Sequence, residues 1–418
     1  MVKKTVLENG LRIITEDLPH LYSASIGIWV DNGSRDETSA ENGISHFIEH
    51  MIFKGTRNRS ALQIAKELDA IGGMSNAFTS KEQTCFHAKV LEAHLPQAVD
   101  ILLDIFLNSL FDPEELERER QVVLQEICMV EDTPDEYIHV LFSEMVYQDN
   151  PLGQPILGTP DLILSLNQDK ILNYLNRSYG SGKVIVAAAG KIDHQGFVDL
   201  VAPALGNIPA NLTPNTRQEP NLKAREKVFT KDLEQVHLAL GAWAPSVSDS
   251  RRYAGTLLNV ILGGNMSSRL FQEVREKRGL AYSIYSFLSP YQNTGLWGIY
   301  TAIAKESLSE TLEVIGQELA KIKNGDLTSV ELDSAKEFVK GGFLLSAESA
   351  DNRMTRLAKN EYDFGRHVPF EEILENLDQV TSAEVVDLAR EILGPGVIST
   401  AVLGPLNESD LPSPCLAF

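Results

Sequence analysis

His46-Phe47-Ile48-Glu49-His50 is the most informative stretch of this 418-residue sequence. On a helix the two imidazoles lie four residues apart, one turn above each other, so both can reach one metal ion. The carboxylate of Glu49 lies within the same narrow arc and does not have to be a ligand. Two neutral nitrogens beside a free carboxylate are the groups of a hydrolytic zinc site, with the carboxylate as general base. The alternative is a helix with two solvated or capped histidines.

A helix predicted over residues 112–130 offers a candidate third ligand. Glu119 and Glu126 lie seven residues apart on it, so they share one face. An acidic pair on a packed helix is costly unless a cation neutralises it, and a divalent metal held by the two histidines would do so. By itself, however, the pattern is more typical of a solvated charged face, because further charged residues lie on the same helix.

Taken together, these residues resemble the pitrilysin/insulysin family of zinc peptidases. Their motif is the inverted zincin order His-x-x-Glu-His, and it is complete here. The most similar branch contains the β subunit of the mitochondrial processing peptidase and its bacterial relatives, and the resemblance covers essentially the whole chain. It implies that His46, His50 and Glu126 bind zinc. It also implies that Glu49 is the general base and that Glu119 is a second carboxylate supporting the site.

The second half of the sequence repeats the first. Three segments recur in the same order at a nearly constant offset, among them Ile26-Gly27-Ile28-Trp29-Val30 as Leu240-Gly241-Ala242-Trp243-Ala244. Such a repeat indicates an internal duplication. We therefore expect a catalytic domain at 1–209, a proline-rich polar linker at 210–224 and a homologous domain at 225–418. The resemblance implies an α+β fold, with each half a mainly antiparallel sheet with helices packed on it, the two halves enclosing a chamber.

The duplication predicts one zinc ion per chain. At the positions that match His46, Glu49, His50 and Glu126, the second half has Gly255, Leu258, Asn259 and Gly342. None of these four side chains is a zinc ligand of the usual kind. The second domain is therefore expected to be metal-free.

The resemblance also assigns substrate contacts. Arg275 and Tyr282 match the family's Arg-(six residues)-Tyr signature, and they would face the zinc across the chamber and donate hydrogen bonds to the substrate carbonyl. Without the resemblance, this stretch is only the basic end of a helix. The substrate would lie extended along an edge strand whose residues are Asn76, Ala77, Phe78 and Thr79.

Charge and composition exclude several classes. The net charge of −21 argues against nucleic-acid binding and against anionic membranes, and no apolar run is long enough to span a bilayer. An acidic surface favours a basic peptide substrate, although it can equally serve solubility. The N-terminus shows no signal or transit peptide, and the three cysteines (Cys85, Cys128 and Cys415) indicate a reducing compartment. We expect a cytoplasmic, bacterial-type protein, with Cys85 and Cys128 buried.

The predicted function is a zinc-dependent endopeptidase that cleaves extended peptides or unfolded, presequence-like segments by means of metal-activated water. One alternative is a non-catalytic scaffold or partner subunit of a heteromeric processing peptidase or respiratory-complex core. Another is a different zinc hydrolase with the same ligands. We expect a homodimer or a heterodimer with a homologous subunit.

Locally, we expect Thr38 to cap the motif helix with Glu41 as its capping-box partner, and residues 160–178 to be helical.

Overall fold

The computed structural model describes residues 1–210, 213–394 and 396–411. The strands of the first half are β1 (Val2–Val6), β2 (Arg12–Asp17), β3 (Ser23–Val30), β4 (Met74–Thr79), β5 (Thr84–Leu91) and β6 (Val184–Gly190). Its helices are α1 (Ile44–Met51), α2 (Ala61–Ala70), α3 (Leu95–Asn108), α4 (Pro113–Glu131), α5 (Pro134–Val146), α6 (Pro160–Ser165), α7 (Gln168–Ser178) and α8 (His194–Leu205).

The second half contains the same kinds of element. Its strands are β7 (Glu226–Thr230), β8 (Val236–Trp243), β9 (Ala281–Pro290), β10 (Gly295–Ile303) and β11 (Ser399–Gly404). Its α-helices are α9 (Arg252–Gly263), α10 (Leu308–Lys323), α11 (Ser329–Ser346), α12 (Ala350–Phe364), α13 (Phe370–Gln379) and α14 (Ser382–Ile392). A π-helix covers Phe271–Glu276.

The two sheets share one topology. The first has the strand order β1-β2-β6-β3-β5-β4 and the second the order β7-β11-β8-β10-β9, so they match strand for strand once β1 is left out. In each sheet one matching pair is parallel, β2 with β6 and β7 with β11, and the other pairs are antiparallel. The predicted duplicated α+β fold is thereby confirmed.

Each sheet is apolar on both faces, and this explains how the chain divides into two compact units. Unit 1 comprises Met1–Met129, Gln154–Arg217 and Leu345–His367, whereas unit 2 comprises Val130–Gly153, Gln218–Leu344 and the described residues from Val368. Helix α12 therefore belongs to unit 1 and α5 to unit 2. This differs from the expected division at 1–209 and 225–418, because each half contributes one helix to the other half's sheet.

The alternation of side chains along β3 shows why the exchanged helix is needed. Ile26 and Ile28 point into the core that contains α1, α3 and α4. Trp29 points to the opposite face, where it packs with Met354 and Leu357 of α12. In unit 2, α5 covers the second face of the other sheet in the same way. A helical apolar stripe predicts burial, but it does not say against which sheet.

The structure corrects two local expectations, for residues 160–178 and for Cys128. Residues 160–178 form two helices, α6 and α7, because the chain is extended at Leu166 and Asn167. Cys85 is buried as expected, but Cys128 is exposed on α4, and Cys415 lies outside the described residues. Within the described ranges, no helix combines the length and the apolar character that a bilayer crossing requires.

Candidate active site

Glu37 caps α1, the helix that carries the histidines. Its Oε2 accepts a hydrogen bond from the backbone N–H of Gly43, and its Oε1 accepts one from the N–H of Ser45, both at 2.8 Å. Burial raises the pKa of Glu37 to about 7, although these N–H donors favour its charged form. The predicted cap at Thr38 is wrong. Thr38 donates instead to Glu41 in the turn that precedes the helix, at 2.7 Å.

Helices α1 and α4 bring His46, His50 and Glu126 together. One potential ligand atom from each residue lies within 4.8 Å of the others. Glu126 Oε2 is 3.6 Å from His46 Nε2 and 3.4 Å from His50 Nε2. The imidazole ring centroids are 4.6 Å apart. The predicted ligand set therefore converges at one place in unit 1.

These side chains fit a zinc ion. Two imidazoles and one carboxylate are the ligand set of many catalytic zinc sites. His46 is buried, and its Nδ1 has no hydrogen-bond partner among the described residues. The His46 Nε2 faces Glu126 Oε2 at 3.6 Å, and a cation bound between these two atoms would offset the cost of burying the imidazole. The fit thus rests on chemistry and burial as well as on distance.

Glu119 lies behind His50 on the side away from Glu126. Its Oε1 is 2.9 Å from His50 Nδ1, and its Oε2 forms an ion pair with Lys54 at 2.5 Å. Burial disfavours a charge on His50, but hydrogen bonds with Glu119 and Glu126 raise the pKa of His50 to about 9. Burial and the neighbouring His50 lower the pKa of His46 to about 4. The two carboxylates therefore favour a positive charge at this place.

Glu49 and the predicted substrate strand also meet in unit 1. Helix α1 packs against β4, which lies at the edge of its sheet and, in the described chain, pairs with β5 only. Burial raises the pKa of Glu49, and the nearby Thr79, at the end of β4, opposes that effect. The four residues predicted to bind substrate, which are Asn76, Ala77, Phe78 and Thr79, all lie on β4. Beside the strand is a groove of about 550 Å³, lined by Phe53, residues of α2 and the start of β4.

Arg275 and Tyr282 form a stacked pair in unit 2. The Arg275 guanidinium carbon lies 5.0 Å from the centre of the Tyr282 ring and 4.6 Å from that of Phe271, so it sits between two aromatic rings. Tyr282 is 82% exposed, which leaves its hydroxyl accessible. Arg275 belongs to the π-helix, a conformation that is often found at functional sites.

The matching positions of the second half cannot bind zinc in the same way. Gly255, Leu258 and Asn259 lie on α9, and Gly342 lies on α11. Gly255 and Leu258 are buried, and the hydroxyl of Ser286 contacts the backbone carbonyl of Asn259. The part of the chain that the structure describes contains one cluster of metal-binding side chains, which is the cluster on α1 and α4.

Sequence reasoning missed three residues around the site. Glu37 caps the motif helix, Lys54 pairs with Glu119, and Tyr174 contacts Ser45 at the start of α1. An acidic residue shortly before a helix is a known capping signal, but the adjacent Thr38 offered the same signal. The contact of Tyr174 is made from α7, and no local pattern could have revealed it.

Comparison with known proteins places the chain in a family. Residues 12–160 match the family model for insulinase (peptidase family M16), and residues 165–339 match that for the peptidase M16 inactive domain. An uncharacterized zinc protease of Bacillus subtilis, YmxG, is 43% identical, with 94% of this chain and 96% of that protein aligned. An uncharacterized zinc protease of Streptomyces coelicolor is 40% identical, with 97% and 90% aligned.

Solved structures show the same fold at lower identity. A protease from Helicobacter pylori superimposes with a TM-score of 0.89 at 24% identity, covering 97% of this chain and 99% of that chain. A peptidase M16 inactive domain from Pseudomonas fluorescens gives a TM-score of 0.91 at 20% identity, covering 97% and 98%. With the family models, the relatives and the converging histidines and glutamate in agreement, the chain belongs to the M16 family of peptidases.

Proposed function

We propose that this protein is a zinc-dependent endopeptidase that cleaves extended peptides or unfolded, presequence-like segments. The observation that carries the proposal is the convergence of His46, His50 and Glu126 within 4.8 Å, with Glu49 on the same helix as the two histidines. The names of the relatives, zinc proteases of Bacillus subtilis and Streptomyces coelicolor, support it. A non-catalytic scaffold role does not require this complete set of groups.

Each side chain has a distinct role in the proposed reaction. His46, His50 and Glu126 would hold zinc, which when bound activates water and polarises the scissile carbonyl. Glu49 accepts the proton of the attacking water and donates it to the leaving amine. Glu119 fixes the orientation of His50 through the hydrogen bond at Nδ1.

The edge strand β4 is the proposed binding site for substrate backbone. Its unpaired edge can accept an extended peptide as an additional strand, which gives affinity with modest demands on sequence. Asn76 to Thr79 lead toward Glu49, because Thr79 lies beside that carboxylate. The adjoining groove, lined by Phe53, Ile64 and Leu68, suits an apolar side chain of the substrate.

Arg275 and Tyr282 are the proposed contribution of unit 2. A guanidinium and a phenol can donate hydrogen bonds to a substrate carbonyl and to the oxyanion that develops from it. The aromatic rings on both sides of Arg275 restrict its guanidinium without using up all its N–H donors. A basic substrate, a dimeric assembly and a cytoplasmic location stay predictions of the sequence.

Zinc content and peptide cleavage, measured before and after chelation, test the proposal. We expect about one zinc ion per chain and cleavage of an unstructured peptide library. Removing the metal should abolish cleavage, and adding zinc back should restore it. His50→Ala should lose the metal, whereas His20→Ala, at an exposed histidine outside the site, should keep it. Undiminished cleavage by the metal-free chain would contradict the proposal, as would two tightly bound zinc ions per chain.

A further inference from the structure

The N-cap position of α1 provides no side-chain acceptor for the first turn of the helix. Gly43, the residue before the helix, has a φ of +95° and no side chain. A Cβ at this position would lie 2.8 Å from the carbonyl oxygen of Leu157 and from the Cα of Gly158, so a larger residue does not fit. The free N–H groups at the start of α1 therefore need an acceptor from elsewhere in the fold.

Glu37 supplies that acceptor with both carboxylate oxygens. Besides the N–H groups of Gly43 and Ser45, it accepts a hydrogen bond from Asn42 Nδ2 at 3.0 Å. Its side chain is buried, and in the described ranges no ion pair to a Lys, Arg or His is formed. Burying a carboxylate without a cation is costly, and here the positive end of a helix takes the cation's place. The two hydrogen bonds from one buried carboxylate fix the position of the first turn of α1.

Tyr174 fixes the same turn from a second direction. Its hydroxyl accepts a hydrogen bond from Asn32 Nδ2 at 2.6 Å and forms a second hydrogen bond with Ser45 Oγ at 2.8 Å, in which either oxygen can donate. Ser45 is thus held by Glu37 at its backbone N–H and by Tyr174 at its side chain. Tyr174 is fully buried, which shields both contacts from water.

His46 follows Ser45 directly, and among the described residues no side chain orients its imidazole through Nδ1. Glu119 orients His50 through its Nδ1, whereas His46 Nδ1 has no hydrogen-bond partner in the described parts of the chain. The position of the His46 imidazole therefore depends on the backbone of the first turn. Small shifts of that turn would move one ligand and leave the other in place.

We propose that Glu37 and Tyr174 are positioning residues, which hold the first turn of α1 so that His46 meets the metal bound by His50 and Glu126. This deepens the proposed function, since it rests on the same three residues binding a metal ion. It does not depend on the protein being a peptidase.

The test is the metal affinity and the Co²⁺ absorption spectrum of Glu37→Gln. The amide keeps one acceptor oxygen but turns an NH₂ group toward the second backbone N–H, so one of the two helix contacts is lost. We expect zinc affinity to fall roughly 10- to 100-fold and the ligand-field bands of bound Co²⁺ to shift. The matched control is Glu41→Gln, a carboxylate of the same loop that contacts Thr38 and Arg177 and not α1, and it should leave both unchanged.

Tyr174→Phe gives an independent variant, because it removes one hydroxyl and preserves the buried ring. It should lower zinc affinity in the same direction by a smaller factor and also shift the Co²⁺ bands. If Glu37→Gln does not fold, Tyr174→Phe decides by the same readouts. Wild-type affinity and an unchanged Co²⁺ spectrum in a folded variant would overturn the proposal. A wild-type chain that binds zinc but cleaves no peptide would refute the peptidase function and leave the positioning role standing.

Discussion

The two nitrogens of the His50 ring contact two different carboxylates. Nδ1 lies 2.9 Å from Glu119, and Nε2 lies 3.4 Å from Glu126. In metal sites, a carboxylate on one nitrogen fixes the tautomer and the ring orientation so that the other nitrogen faces the metal. Lys54 in turn forms an ion pair with Glu119, which favours the charged form of this carboxylate.

Glu119→Gln should weaken zinc binding although Glu119 is not a proposed ligand. The amide can still contact His50, but it cannot stabilise a positive site to the same extent. We expect zinc affinity to fall by roughly 10- to 100-fold, as measured by competition with a chelator of known affinity. The control is Glu114→Gln, an 84% exposed side chain on the same helix. Equal zinc affinities for Glu119→Gln and wild type would show that Glu119 does not support the metal site.

Individual residues of the site could be predicted from the sequence where helix geometry fixes their relative positions. The spacing of His46, Glu49 and His50 puts them on one arc of any helix, and the structure has that arc. Family resemblance was needed to choose Glu126, because acidic residues on a charged helix look alike in sequence. Glu37 was not predicted, since its distance in sequence from the backbone groups it caps depends on a left-handed glycine in the loop.

Helix α12 covers the second face of the first sheet. Trp29 Nε1 lies 3.1 Å from Met354 Sδ, and Met354 is 2% exposed. At the polar rim of the same interface, Ser25 donates to Asp351 at 2.6 Å. The strands themselves were predictable from alternation, because Ile26, Ile28 and Val30 all face one core from β3. The docking of α12 was not predictable, because it pairs segments more than 300 residues apart.

Met354→Ala should destabilise unit 1. Removing a buried Met side chain costs about 2–5 kcal/mol of unfolding free energy, since transfer energy is lost and a cavity remains. Lys359→Ala, at an exposed position of the same helix, should change the stability by less than about 0.5 kcal/mol. Urea unfolding monitored by tryptophan fluorescence measures both, because Trp29 reports on this interface. Equal stabilities of the two variants would mean that α12 does not pack on this sheet.

In the molecule as a whole, two halves of one topology have diverged in chemistry. The first half keeps a cluster of metal-binding side chains, and the second has glycine, leucine and asparagine at the matching positions. The second sheet has a buried core of its own, so the fold does not depend on metal-binding side chains at those positions. The repeat was visible in the sequence because buried strands constrain their residues in both halves. The exchange of α5 and α12 could not be predicted from the sequence. Each helix packs on the sheet of the other half, and the strand order stays the same.

Tyr282→Phe and Arg275→Ala should lower turnover although neither removes a proposed ligand. The loss of one oxyanion donor typically costs about 2.7–4 kcal/mol of transition-state stabilisation, or roughly 10²- to 10³-fold in kcat. Zinc content should stay at the wild-type level in both variants. Arg278→Ala, which removes a guanidinium bonded to Glu273, is the control and should retain turnover. If both variants keep wild-type kcat, neither side chain acts in the reaction.

In the proposed reaction, His46, His50 and Glu126 hold a metal ion while Glu49 transfers the proton. The most direct measurement is kcat on one peptide for wild type and Glu49→Gln at matched zinc content. Because an amide cannot accept the proton, we expect about one zinc ion per chain in both proteins and a kcat lower by roughly 10²- to 10⁴-fold in the variant. A zinc-loaded Glu49→Gln enzyme with wild-type kcat would contradict the role of Glu49 as general base.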